Sequence, residues 1–302
     1  MVKINPREIF AFIKASRVEP YLFFYCCAMA MTVISRGQLI QDKLCLDEFG
    51  QSRSFCVNMN SGNLTEKEEV IKSNVLKQSA QYGMYQSFIT TIPKFFWAVT
   101  MGPWTDLYIH GRKVMMGGAS LGHALESIVL LISVLFFDQV GPIFILMSSV
   151  PTFLVGGSMG VWSGCYGYAS VNSPSKWLAS RMMVIEVVFS VSWTIGTFMG
   201  GQFLYPLEDL FSGSLRNYIP LYAIATVTQL IAFMWIMFAI NERKLQEKRK
   251  NKLDTSENKE TQHDKSVDNT GHELLTLNEI ESANKSEERH SFWELIKQIF
   301  SY

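Results

Sequence analysis

Apolar residues in this chain come in long blocks, not in the two-residue alternation of exposed strands or the narrow stripes of soluble helices. Six blocks, near 20–39, 78–101, 114–137, 140–166, 182–205 and 218–240, each reach about 20 residues. That length in helical form crosses a hydrocarbon core about 30 Å thick. Most blocks also keep polar or ionisable residues, which a lipid-facing anchor has little reason to hold. The pattern therefore predicts an all-α integral membrane protein, with a six-helix bundle over 18–240 and an interior that uses those polar groups.

The segments around the blocks have their own textures. In 1–17, Asn5 and Pro6 read as a helix cap and first turn, and Ile9, Phe10 and Ile13 recur at helical spacing. This predicts a short interfacial helix before the first span. No small-residue cleavage site follows it, so the first span is expected to remain in the mature protein. Residues 41–77 form a long loop between the first two spans. Residues 241–290 carry 22 of the chain's 54 charged side chains and few aromatics, the composition of a disordered segment. Over 291–302, Ser291 and Glu294 form a capping box ahead of an apolar helical pattern, the start of an interfacial helix leading toward a seventh span.

Charge changes the picture only once it is mapped. The 27 basic and 27 acidic residues cancel, yet most of the charge lies outside the apolar body. Lys and Arg concentrate before the first span, at Arg112 and Lys113 after the second, at Lys176 and Arg181 after the fourth, and after the sixth. The positive-inside rule then puts both termini in the cytoplasm and the 41–77 loop outside. That loop holds the sequon Asn63-Leu64-Thr65, a glycosylation candidate, and Cys45 and Cys56, either a disulfide with each other or partners of other segments. The plasma membrane is the expected location, an endolysosomal membrane the second. No basic stripe suggests nucleic acid. No nucleophile–base pair, phosphate-binding Gly loop or metal-ligand spacing suggests an enzyme or a bound cofactor.

Several residues stand out on chemistry. Gly102 and Asp106 close the second span and face Gly111-Arg112-Lys113 across a short turn, so carboxylate, guanidinium and ammonium can form a gating clamp. The fifth span opens with Arg181 and, one turn in, Glu186, a carboxylate that needs a partner or a water-filled cavity. Gly196, Gly200 and Gly201 follow, with small residues four apart that allow close helix packing. Glycines 156, 157, 160 and 164 give the fourth span a similar face. His123 and Glu126, three apart in the third span, form either a proton relay or an interhelical hydrogen bond. Arg36 either attracts an anionic solute or snorkels outward; Lys94 either binds solute or pairs with Glu126.

The Asp106…Gly111-Arg112-Lys113 pattern is similar to the loop signature of the major facilitator superfamily, with two more residues between its halves. Together with Val18-Glu19-Pro20, Gly102-Pro103-Trp104-Thr105-Asp106, and Arg181-Met182-Met183-Val184-Ile185-Glu186 followed by the Gly200-Gly201 pair, the chain resembles the solute-carrier group of the proton-coupled folate transporter and its thymic and lysosomal relatives. It departs at Leu178, where the group usually has a second Arg. The resemblance implies the N-terminal six-helix half of a facilitator, with solute held between two halves near the midplane. It implies proton coupling through Glu186 with Arg181, gating by Asp106 and Arg112, a glycan on Asn63, and folate-like organic anions as solutes, co-transported with protons. Its expected partners are the bilayer, a small organic solute, and a second six-helix half or full-length relative. The alternative is a truncated, non-transporting membrane protein that binds or regulates such a relative.

Overall fold

The computed structural model describes residues 16–59, 64–107, 110–173, 177–204 and 214–240, with the backbone alone for 102–107. All of these belong to one compact unit, Met1–Arg243. The expected interfacial helix of 1–17, save its last two residues, the sequon Asn63, the disordered segment 241–290 and the final helix 291–302 lie outside the described residues.

Every regular element among the described residues is helical: α1 (Val18–Lys43, continued by a π-helical turn, Leu44–Glu48), α2 (Arg53–Asn58), α3 (Glu66–Leu107), α4 (Gly111–Leu135), α5 (Pro142–Met147), α6 (Val150–Leu154), α7 (Gly157–Asn172), α8 (Leu178–Phe203) and α9 (Tyr218–Ala239). Among the described residues, five stretches are long and apolar enough to cross a membrane: α1 with its extension, α4, the run α5 to α7, α8 and α9. This is the architecture of a multi-pass membrane protein. Large apolar side chains such as Phe95, Phe198 and Phe238 are 67–80% exposed, as surfaces bathed in hydrocarbon would be.

Three expectations change. The second of the six blocks does not reach the same apolarity. It lies in α3, a helix of 42 residues and about 60 Å that continues past Pro93. Gln78, Ser79, Gln86, Ser87, Thr90 and Lys94 lower its hydropathy. Five of those six line a half-open cavity, which accounts for their polarity. The 41–77 loop is mostly not a loop. α1 extends through it to Glu48, Ser52 caps α2 by accepting the Phe55 N–H, and α3 starts at Glu66. Thr65 is tied to Glu68 through its N–H at 2.8 Å and its hydroxyl at 2.7 Å, which holds the Glu68 carboxyl below its usual range. The fourth block is not one helix. It breaks at Ser148-Ser149 and again at Val155-Gly156, where Gly156 and Gly157 have φ of 81° and 53°. Those left-handed values are accessible to glycine at little cost, and Pro151 sits in the first turn of α6.

α1 is the central helix and packs against α8 and α9; α4 packs against α9 and α7, and α3 against α6 and α7. The glycines explain the closest approach. A Cβ on Gly196 would stand 2.3 Å from the Cys27 carbonyl oxygen, and one on Gly200 would stand 3.3 Å from Met31 Cα, so α8 lies directly on the α1 backbone. Gly201 takes no part, with nothing within 4 Å of its Cβ position. In α7, Gly160 and Gly164 admit Met115 and Met116 of α4.

At one end of the bundle, Cys45 and Cys56 form a disulfide that ties α1's extension to α2. Lys43 is fully buried there and donates to the carbonyls of Phe137 (2.9 Å) and Val140. Asp42 accepts from Arg216 Nε at 3.1 Å, Tyr218 Oη at 2.6 Å and Gln38 at 3.0 Å, fixing α1 to the start of α9. At the other end, Lys113 and Arg17 donate to the carbonyls of Met237 (2.5 Å) and Ala239 (2.9 Å), cations at the C-terminus of α9.

Candidate solute cavity

A cavity of about 280 Å³ opens among α1, α3, α4 and the broken run α5 to α7. Its charged lining is Arg36, Lys94, His123 and Glu126, four residues from three helices. On α4, His123 and Glu126 share a face because they stand three apart, and the turn between them brings His123 Nδ1 to 3.0 Å from Glu126 Oε2. Arg36 arrives from α1 and closes an ion pair with Glu126 Oε1 at 2.5 Å. Thr152, on the short helix α6, donates its hydroxyl to Glu126 Oε2. The carboxylate thus meets three donors while only 2% exposed.

The break at Ser148-Ser149 serves the same cluster. Arg36 Nη1 donates to Ser149 Oγ at 3.3 Å. The Gln86 amide, in the orientation that meets donors on both sides, accepts from Ser149 Oγ at 3.1 Å and from the guanidinium. A continuous helix over 142–172 would have spent the Ser149 region on its own ladder. Breaking it presents a hydroxyl and a short helix carrying Thr152 to the buried pair, the kind of irregular backbone that membrane proteins confine to protein-lined cavities. The Trp97 indole secures the second break by donating to the Phe153 carbonyl at 2.9 Å. Tyr25 packs edge-on to His123, with ring centroids 5.3 Å apart.

The structure therefore brings together four residues that the sequence left with alternatives. Arg36 is turned inward and paired. Glu126 takes Arg36 as its ion-pair partner instead of Lys94. His123 and Glu126 are joined by a hydrogen bond. Lys94 lines the cavity and makes no hydrogen bond or ion pair within the described residues.

The other candidates lie elsewhere. Glu186 is on the exposed face of α8, where its carboxylate accepts from Tyr166 Oη on α7. Trp162, Tyr166, Phe189 and Trp193 form an aromatic ladder beside it, with neighbouring centroids 4.8–5.8 Å apart. Arg181 does not join Glu186. It is 2% exposed, 3.5 Å from Glu19 at the start of α1, and donates to Ser173 Oγ at 3.2 Å. One turn of helix separates Arg181 from Glu186 in sequence, but the two side chains take opposite faces. Of the clamp, Gly111 opens α4, Arg112 lies over Gly167 of α7, and Lys113 reaches the end of α9. The side chain of Asp106 and the surroundings of Gly102 are outside the described residues. Asp42 and Thr152 had no signal in the sequence, and Glu19 stood out only within the Val18-Glu19-Pro20 run; the distant partners of all three are set by tertiary contact. The Ser149 break did have one, the Ser148-Ser149-Val150-Pro151 run, which a hydropathy count reads as continuous.

No protein-family model matches the chain, and no curated protein matches it. Among the described residues, no group of His, Cys, Asp and Glu could hold a metal ion.

Proposed function

We propose that the protein is a multi-pass membrane transporter of small organic solutes, organic anions above all, with the cavity at Arg36, Lys94, His123 and Glu126 as its solute site. The observation that carries this reading is a cavity with two cations and one carboxylate, set among helices whose outer faces are apolar. Buried charge in such surroundings is costly and is characteristically kept for solute and ion pathways. The broken run α5 to α7 beside it has the form of the discontinuous helices that line transporter sites.

Within this reading the chain is the N-terminal six-helix half of a facilitator, with α3 as the second span and both termini in the cytoplasm. Gly102, Asp106, Gly111, Arg112 and Lys113 supply the gate, and Asn63 is a glycan site on the outer side. Proton coupling has two candidates. One is Glu126 with His123 inside the cavity. The other is Glu186, whose place on an exposed α8 face suits a surface turned toward further helices, from a second half or a full-length relative. Glu186 on a lipid-facing surface would be hard to retain, so the same face also supports a role in binding such a relative.

The test is uptake of small organic anions into proteoliposomes under an inward proton gradient. Uptake above protein-free vesicles, reduced in Glu126→Gln, supports the reading. Absence of uptake across carboxylates of increasing size would remove transport and leave the alternative, a non-transporting membrane protein that binds or regulates a relative.

A further inference from the structure

The cavity's charges are not equivalent. Arg36 is already occupied: it holds Glu126 at 2.5 Å, and Ser149 and Gln86 take up further donors. Glu126 is occupied too, by Arg36, His123 and Thr152. Those two residues cancel and are mutually satisfied. Lys94 is left over. Its ammonium lines the cavity without a hydrogen bond or ion pair within the described residues, and its Cε lies 3.5 Å from the Cβ position of Gly157, against the start of α7. No side chain caps the first N–H groups of α7, and Ser158 of that first turn lines the same cavity. The field there favours an anion on both counts.

The remaining lining constrains the rest of the ligand. Ser87 and Thr90 turn their hydroxyls to carbonyls of their own helix, Gly83 at 2.9 Å and Gln86 at 3.0 Å, and so are spent. Met29, Val33 and Phe153 offer an apolar wall. A volume of about 280 Å³ sits at the lower edge of cavities that enclose small molecules.

On the reading of this cavity as a solute site, we propose that Lys94 is the counter-ion of the bound molecule, and that the cavity takes one small monocarboxylate with an apolar body, Arg36 being closed to it by Glu126. Arg36 and Glu126 cancel, so Lys94 leaves the lining with one uncompensated positive charge. One carboxylate neutralises it, and a second would enter the low-dielectric site unpaired.

The experiment titrates the intact chain in lipid nanodiscs by calorimetry with benzoate, its neutral isostere benzamide, and the dianion phthalate. Benzoate is expected to bind at least about tenfold more tightly than benzamide, because losing one partner of a buried charge pair costs at least that much. Phthalate is expected to bind more weakly than benzoate. Lys94→Met should bring benzoate down to the benzamide level with an unchanged unfolding midpoint, and Lys94→Arg should keep most of the preference. No benzoate binding, a preference for benzoate that survives Lys94→Met, or a preference for phthalate would each overturn the proposal. Uptake separates this from the broader reading. Benzoate bound through Lys94 but never transported removes transport and keeps the site, whereas equal benzoate uptake by wild type and Lys94→Met keeps transport and removes Lys94.

Discussion

Helices α1 and α8 lie against each other and are alike in hydropathy, yet they inhabit different surroundings. In its most apolar stretch α1 is 67% buried and α8 only 17%. Beyond Arg181, which is buried against Glu19 where α8 begins, the ionisable groups follow that division. Arg36, Asp42 and Lys43 of α1 are all buried and all bonded across the fold, to Glu126, to Arg216 and Tyr218, and to backbone carbonyls. Glu186 of α8 is exposed and, among the described residues, its carboxylate meets Tyr166 on the neighbouring helix. A charge inside an apolar block is therefore not a site by virtue of its depth. What matters is whether the fold turns it toward other polar groups or away from them.

The division predicts unequal responses to substitution. The largest belongs to the buried side: Glu126→Ala leaves Arg36 desolvated and unpaired, and should cost about 3–5 kcal/mol in thermal unfolding in detergent. Arg36→Met with Glu126→Leu should recover wild-type stability or exceed it, because the charge is removed along with its partner. A double variant as unstable as Glu126→Ala would show that the cost was lost packing.

Next comes the far end of α1. The Cys45–Cys56 bridge closes a short loop with a sequence separation of 11. Replacing both cysteines by serine should remove about 3 kcal/mol, and reduction of the wild type should lower the unfolding midpoint to match. The two faces of α8 provide a smaller and more discriminating contrast. Gly196→Ala drives a Cβ into the Cys27 carbonyl and should cost about 1–3 kcal/mol. Gly201→Ala, with open space around it, should be neutral or stabilise by up to about 1 kcal/mol. Equal effects would mean that α8 does not rest on α1 through Gly196. The smallest effect is expected at Glu186→Gln, within about 0.5 kcal/mol, since no buried partner depends on the charge.

What the sequence revealed divides along the same line. Spans α1, α4, α8 and α9 were legible because block hydropathy reports length and composition, which is all a spanning helix needs. The second block was legible as a helix, but its composition misled: most of the polar residues that lower its hydropathy line the cavity. His123 and Glu126 could be paired on paper because helical spacing puts them on one face. Arg36 with Glu126, and Arg181 with Glu19, could not, because partners 90 and 162 residues apart are chosen by how helices pack. The fourth block's glycines were readable as small residues; that two of them carry positive φ and end a helix depends on what α6 must reach.

If solute occupies the space among Arg36, Lys94 and Glu126, filling that space from Gly83 should block uptake. Gly83 lines the cavity, and a Cβ there meets nothing within 4 Å, so a large side chain can fill the space without displacing backbone. Benzoate uptake into proteoliposomes should be measured for the wild type and for Gly83→Phe, with unfolding midpoints recorded alongside. Uptake by the wild type and a fall to the protein-free background in Gly83→Phe at an unchanged midpoint are expected. Uptake by Gly83→Phe at the wild-type rate would show that solute passes elsewhere.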